Sequence, residues 1–205
     1  MNNIFHRIWH IIRIPFWIIL ALYIGVVIYR IPAAQERLKT EKVVKEIQSQ
    51  KLNLPDVLGK NLPPEPDSKL KDATVEGIDA NNNGIRDDVE LAIFKLHPDS
   101  ARIRAAELQY AMELQSEIKW VFNSDTWIAA VEHEGGIDCL VNVAFDEFSN
   151  AKDQINKSDE WKKEVDDLVF NTDLRMAKKS EIRGYETSVA IETKNCDVDI
   201  KKLPE

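Results

Sequence analysis

The sequence lacks the short motifs by which many enzyme classes are recognised, and it is poor in glycine, histidine and cysteine. Its 205 residues include 7 glycines, 4 histidines and 2 cysteines. They contain no HExxH zinc motif, no GxSxG nucleophile elbow and no P-loop. They also contain no cysteine and histidine at the spacing of a known Cys-His family. We therefore assign no catalytic and no cofactor-binding residue. A hydrolase whose site is assembled from distant residues stays open as an alternative, because such a site leaves no local signature.

Apolar residues that alternate with a period of two, the pattern of β-strands, are almost missing, with one weak instance in TSVAIETK at residues 187–194. From Asp87 onward the apolar residues instead recur at spacings of three and four. We predict an all-α domain of four or five helices. The predicted segments are 87–96, 100–122, 126–134, 137–155 and a long helix that starts at Ser158-Asp159; residues 187–202 could be a helix end, a short strand or a tail. The expected core aromatics are Trp120, Trp127, Phe145, Phe148, Trp161 and Phe170.

Charge is distributed unevenly along the chain. Residues 1–51 hold 8 Lys/Arg and 3 Asp/Glu, so the remaining residues hold 19 basic and 32 acidic side chains, a net charge of −13. A domain this acidic is a poor candidate for binding nucleic acid, which requires neutralisation of phosphates. It suits cation binding or a basic protein partner.

A long apolar run stands near the N-terminus. Residues 14–29 carry no charge, and extending the run to residues 11–31 gives 21 residues whose flanking Arg13 and Arg30 can reach the lipid headgroups. Pro15 is expected in the first turn of this helix, where a missing amide proton costs little. We predict an uncleaved transmembrane signal anchor over residues 1–31 and favour it over a cleaved signal peptide, because Arg30 and Pro32 make a poor cleavage site.

Two further segments separate the anchor from the domain. Residues 32–51 are charged and free of glycine, and we predict that they continue the membrane helix as a stalk. Residues 52–76 contain four prolines and are expected to form an extended linker. Residues 77–205 then form the acidic helical domain.

Cys139 and Cys196 form an even, minimal set without a CxxC pattern. Such a pair suits one disulfide in an oxidising compartment, and two buried free thiols are the alternative. Counts of basic residues on the two sides of the anchor do not decide its orientation. Because a disulfide would need an oxidising compartment, we expect a single-pass inner-membrane protein whose C-terminal domain is periplasmic or extracellular.

The most specific pattern is GIDANNNGIRDDVE, residues 77–90. Oxygen-bearing side chains alternate and are followed by a glycine and an acid at the start of a helix. Calcium takes six to eight oxygen ligands, and a loop of this spacing can supply them from one tight turn. The predicted ligands are the side chains of Asp79, Asn81, Asn83, Asp87 and Glu90 and the carbonyl of Ile85. A polar turn that caps a helix is the alternative.

Residues 79–90 resemble calcium loops of the EF-hand kind, with two departures: no helix is predicted before the loop, and Arg86 stands where an EF-hand has a branched apolar residue. They are more similar to the thrombospondin type 3-like loops of bacterial surface proteins. Residues 62–90 also look like a segment of uncharacterised bacterial envelope proteins. The resemblance implies a calcium ion at the named residues and nothing about the helical domain.

Together these features predict a membrane-anchored, calcium-binding module of the envelope that is structural or binds another protein, and not an enzyme. An immunity-type inhibitor of a basic toxin is the alternative within binding functions. His97 and His133 are weaker candidates for a site, because a lone histidine near a helix end is more often solvated or stabilised by the helix dipole.

Overall fold

The computed structural model describes residues 2–188 and 193–204, with the side chains of 2–12, 14 and 134 left aside. Within this part of the chain all regular structure is helical, which confirms the predicted fold class. The chain divides into two compact units, Met1–Lys42 and Val43–Glu205.

The first helix, α1, begins at Asn2 and ends at Ser49. Its segment Pro15–Ser49 is long and apolar enough to cross a membrane, and none of the apolar window within it is buried. A signal sequence would meet the same criterion. Pro15 and Pro32 both lie inside the helix, so the prediction that Pro15 occupies the first turn is wrong. An interior proline leaves one carbonyl without its helical donor, and neighbouring groups must satisfy it.

The second unit contains seven further α-helices within the described residues. They are α2 (Leu54–Val57), α3 (Asp87–Leu96), α4 (Ala101–Trp120), α5 (Ser124–Glu134), α6 (Gly136–Glu147), α7 (Ala151–Val169) and α8 (Asp173–Ile182), followed by a 3-10 turn at Ile200–Lys202. Side-chain caps begin α4, α5, α7 and α8, at Ser100, Asn123, Asn150 and Thr172. These caps satisfy amide protons that have no partner inside the helix.

Helix α4 lies at the centre of this unit and packs against α2, α3 and α5 to α8. Six of its polar side chains are buried: Arg104, Glu107, Gln109, Glu113, Gln115 and Ser116. Several of them hold segments that have no helical hydrogen bonds of their own. Gln115 donates to the carbonyl of Glu76 at 2.7 Å, and the Gln109 side chain accepts from the amide of Asp197 at 2.8 Å. The central helix thus orders both the segment before α3 and the C-terminal segment.

The break between α6 and α7 differs from the sequence prediction. One helix was expected over residues 137–155 and another from Ser158-Asp159, but the chain leaves the helix at Phe148 and re-enters it at Ala151. Asn150 caps α7 by accepting from the amide of Asp153 at 3.0 Å, and Gln154 donates to the carbonyl of Phe148 at 2.7 Å. Ser158 therefore lies inside α7. Six helices occupy residues 87–182, more than the four or five predicted.

The predicted core aromatics differ in how deeply they are buried. Trp161 and Phe170 are buried in the main cluster, as expected. Phe148 packs against that cluster, and Trp120 and Trp127 pack against a second one with Val43, Ile47 and Ala130; all three are partly buried. The prediction for Phe145 is wrong, because 56% of this residue is exposed on α6.

The segment predicted as an extended linker is in contact with the domain. Leu52 and Val57 are buried in the main cluster, and Val57 belongs to the short helix α2. Arg175 at the start of α8 is fully buried and donates to the carbonyls of Lys71 and Val75 at 2.6 and 3.0 Å. The linker is therefore fastened along much of its length.

Cys139 of α6 and Cys196 of the C-terminal segment are joined by a disulfide. The same segment accepts a hydrogen bond from the amide of Leu52 through Asp197, at 3.0 Å. Residues 189–192, part of the weak strand pattern, lie outside the described residues. Those that follow, 193–199, have no regular structure.

Candidate metal-binding loop

The predicted loop lies directly before α3 and is closed by its own hydrogen bonds. The two carboxylate oxygens of Asp79 accept from the amides of Asn83 and Gly84, at 3.1 and 3.0 Å. The chain reverses at Gly84, whose φ of 86° lies in the region that glycine adopts without strain. Ile85 follows and is fully buried in the main cluster. The polar part of the loop is thus held against the core by one apolar side chain.

Asp87 and Glu90 reach the loop from the first turn of α3, and both are buried: 1% of Asp87 and none of Glu90 is exposed. Oδ1 of Asp87 accepts from the backbone amide of Ala80 at 2.9 Å. Oε2 of Glu90 accepts from the side-chain amide nitrogen of Asn81 at 3.0 Å. The structure therefore brings the predicted acids of the loop and of the helix together.

Two oxygens in this cluster are buried and have no hydrogen-bond partner among the described residues: Oδ2 of Asp87 and Oε1 of Glu90. A buried carboxylate oxygen without a partner is costly, because it has lost its water and gained nothing in return. A cation between these two atoms would remove that cost. The donor set, made of carboxylate, amide and carbonyl oxygens, is the kind that calcium prefers.

The electrostatics agree with a site that is short of positive charge. Burial is the main cause that raises the pKa of Glu90, to about 7; the Asn81 and Asn83 side chains lower it, and the Asp56 and Asp87 carboxylates raise it further. Burial also raises the pKa of Asp87. Both shifts report that the charged form of each carboxyl is poorly compensated by protein groups alone.

One predicted ligand, Asn81, would have to rotate its side-chain amide to bind a cation. Asn81 presents its amide nitrogen both to Glu90 and to the carbonyl of Asn61, the latter at 2.9 Å. Its oxygen accepts from the amide of Asn83 at 3.3 Å. Rotation of this amide would direct the oxygen toward the carboxylates. Asp79 accepts two backbone hydrogen bonds and Asn83 and Asp87 accept one each, so their oxygens keep free lone pairs.

Asp88 and Arg86, the remaining charged residues of the motif, have a structural role. The Asp88 carboxylate accepts from Nε of Arg86 at 2.5 Å. Arg86 is buried and donates to the carbonyls of Leu168 and Val169, at 2.8 and 3.1 Å. The loop is thereby attached to the end of α7. Sequence reasoning missed this role, although an arginine in place of the usual apolar residue was the signal.

Elsewhere, the structure places the two weaker histidine candidates in different settings. His133 lies 2.9 Å from the carbonyl of Gln50 through Nε2, a contact that fastens α5 to the end of α1. His97 lies beside Glu107 and Glu164, which are distant in sequence and gave no local pattern.

Comparisons of this chain with protein-family models, with curated proteins and with solved structures find no match.

Proposed function

We propose that this chain is a membrane-anchored, calcium-binding helical protein of the bacterial envelope, whose acidic domain is a structural or protein-interaction module outside the cytoplasm. The pair of buried carboxylate oxygens at Asp87 and Glu90, both without a partner, carries the calcium assignment. They lie inside a twelve-residue loop with the alternating oxygen donors that calcium loops use.

Calcium at this place would hold neighbouring segments of the chain together. The loop touches the preceding segment through Asn81 and Asn61, the core through Ile85, and α7 through Arg86. An ion shared by Asp79, Asp87 and Glu90 would hold these contacts in one arrangement. Three formal carboxylates suit modest affinity, which is useful where calcium is near millimolar, outside the cytoplasm. A disulfide also favours an oxidising compartment.

A protein partner is supported by the surface of the domain. Residues 52–205 carry the net charge of −13, so they would attract a basic partner. The range of this attraction is limited by the screening of charges by salt. On α6, Ile137 and Phe145 are 43% and 56% exposed, two turns apart on one face. These side chains would add apolar contacts to the attraction between charges. Capture from native membranes at low and high salt would identify the partner and its charge dependence.

The calcium site is tested by thermal unfolding of the full chain in detergent micelles, with EDTA or with millimolar calcium. Binding to the folded state alone should stabilise it by about 1–2 kcal/mol for a dissociation constant near 0.1 mM, a rise of a few degrees in Tm. Glu90→Gln and Glu90→Ala should abolish the rise. Glu160→Gln, an exposed position on α7, should retain it. A wild-type Tm that is identical in EDTA and calcium would refute the calcium assignment.

A further inference from the structure

Three side chains from three helices meet on the side of α4 that faces α3 and α7. His97 caps the C-terminus of α3, Glu107 lies on α4 and Glu164 on α7. Nε2 of His97 is 3.0 Å from Oε1 of Glu107 and 3.5 Å from Oε2 of Glu164. One ligand atom from each residue lies within 4.8 Å of the other two.

The two carboxylates are not satisfied by the histidine alone. Oε2 of Glu107 and Oε2 of Glu164 are buried and have no hydrogen-bond partner among the described residues, and Glu107 as a whole is fully buried. Even a protonated imidazole supplies one positive charge to two carboxylates. With both carboxylates ionised, the cluster would keep a net charge of −1 next to the core, where an uncompensated charge is costly.

The position of His97 is held by groups outside the cluster. Nη1 of Arg104 donates to the carbonyls of His97 and Pro98, at 2.7 and 2.8 Å. The guanidinium of Arg104 in turn lies over the ring of Phe94, 4.9 Å from its centroid. The backbone that carries the imidazole is therefore held by one buried guanidinium group, which helps to preorganise this ligand.

We propose that His97, Glu107 and Glu164 form a second metal site, which binds a divalent transition metal ion of the zinc class. Zinc bonds to nitrogen and oxygen of about 2.0–2.2 Å place neighbouring ligands of a tetrahedron about 3.3 Å apart. The two measured separations from His97, 3.0 and 3.5 Å, lie on either side of that value. Two of the three ligand separations therefore suit the ion, and the third, between the two carboxylates, lies within 4.8 Å.

The donor set separates this site from the calcium loop. An imidazole nitrogen suits zinc and similar ions, whereas calcium takes oxygen ligands. The side chain of Glu164 is 34% exposed and that of His97 is 17% exposed, so one side of the cluster is open to solvent. Three protein ligands would leave the fourth position of a tetrahedral zinc ion to a water molecule.

Zinc titration of the full chain in detergent micelles tests the proposal. Millimolar calcium keeps the loop filled, and a His6→Gln/His10→Gln background removes two histidines that are four residues apart in a helix. A chromophoric chelator that competes for zinc reports the affinity. We expect one tight equivalent per chain. Glu164→Gln and His97→Gln should each weaken it by about 100-fold or more, since even the loss of outer-shell partners costs 10–100-fold.

His133→Gln is the matched control, because this histidine contacts a backbone carbonyl and should leave zinc affinity unchanged. Cobalt in place of zinc should give visible absorption bands that Glu164→Gln removes. Glu164 is partly exposed, so this variant is expected to fold even if substitution of the buried Glu107 prevents folding. Equal zinc affinity of the wild type and Glu164→Gln, or no tight zinc binding by the wild type, would overturn the proposal.

Discussion

At the scale of a single residue, Glu117 makes the stability of the folded domain depend on pH. Burial is the main cause that raises its pKa to about 7, and the carboxylates of Glu186 and Asp166 contribute. Between its ordinary value of 4.5 and about 7, Glu117 is protonated in the folded chain and ionised in the unfolded chain. Its contribution to stability is therefore complete below pH 4.5 and is lost as the pH rises to about 7.

Glu117→Gln should remove this dependence. The free energy of unfolding of the wild type should fall relative to that of the variant as the pH rises from about 4.5 to about 7, by an amount on the order of 1 kcal/mol, discounted because the residue is partly exposed. Urea unfolding at several pH values in EDTA measures the difference. The exposed substitution Glu160→Gln should give a difference that does not change with pH. A constant difference for Glu117→Gln would contradict the assignment.

Arg175 is the second residue with a clear expected effect. It is fully buried, donates to the carbonyls of Lys71 and Val75, and pairs with the Asp72 carboxylate at 2.7 Å. Arg175→Met would leave these acceptors without donors, so we expect a loss of about 3 kcal/mol in stability. Arg183→Met, an exposed change just after the same helix, should cost no more than about 0.5 kcal/mol. Denaturant unfolding of both variants checks the contrast, and equal losses would contradict it.

At the scale of elements, the disulfide is the device whose removal is simplest to test. It joins α6 to the C-terminal segment across 57 residues. The chain-entropy relation gives a loss of about 4 kcal/mol when such a loop is opened. The double variant Cys139→Ala/Cys196→Ala should lose a comparable amount in denaturant unfolding, and a reducing agent should destabilise the wild type but not the variant. An equally stable wild type with and without reductant would contradict a bridging role.

The elements that could be predicted from sequence are those with local signals. Ser100, the glycine pair after Glu134 and the acids before Val89 mark helix ends through groups only a few residues away. The break at residues 148–150 was missed because its polar residues also fit an exposed helix face. The buried polar side chains of α4 could not be foreseen either, because Gln109 and Gln115 find their partners 88 and 39 residues away.

The same distinction applies to the candidate sites. The loop at residues 79–90 is local, so its spacing was visible, and the structure brings its acids together. The partner of Asn81 on the preceding segment, Asn61, is not visible in the motif. His97 and Glu107 are ten residues apart, but Glu164 comes from a helix 57 residues further along the chain, so only the packing of α7 on α4 reveals the cluster.

At the scale of the whole molecule, the apolar part of α1 predicts that the full chain stays with the membrane. High salt and alkaline carbonate should leave it in the pellet, whereas a chain that begins at Val43 should be released, because more than fifteen apolar residues outweigh any surface attraction. Fractionation followed by immunoblotting measures this. Release of the full chain by carbonate would show that α1 does not span the bilayer.

The side of the membrane is tested by reporters fused after Glu205. A reporter that is active only after export, such as a periplasmic phosphatase, should be active, and a reporter that requires the cytoplasm should be silent. The proposed calcium site and the disulfide both lead to this expectation, since both suit a compartment outside the cytoplasm. Activity of the cytoplasmic reporter alone would remove the support for both together.

The hydrogen bond between Leu52 and Asp197 has a mechanical consequence. A pulling force that enters the folded unit at Val43 first meets the second cluster, where Val43 and Ile47 pack with Ala130 of α5. It next meets His133 of α5, which lies against the Gln50 carbonyl. It then meets Asp197, which is adjacent to a half-cystine covalently attached to α6. Tension along the chain would be carried into two helices before it reached the proline segment. The loop before α3 would stay slack under load and keep its shape while the molecule was stretched.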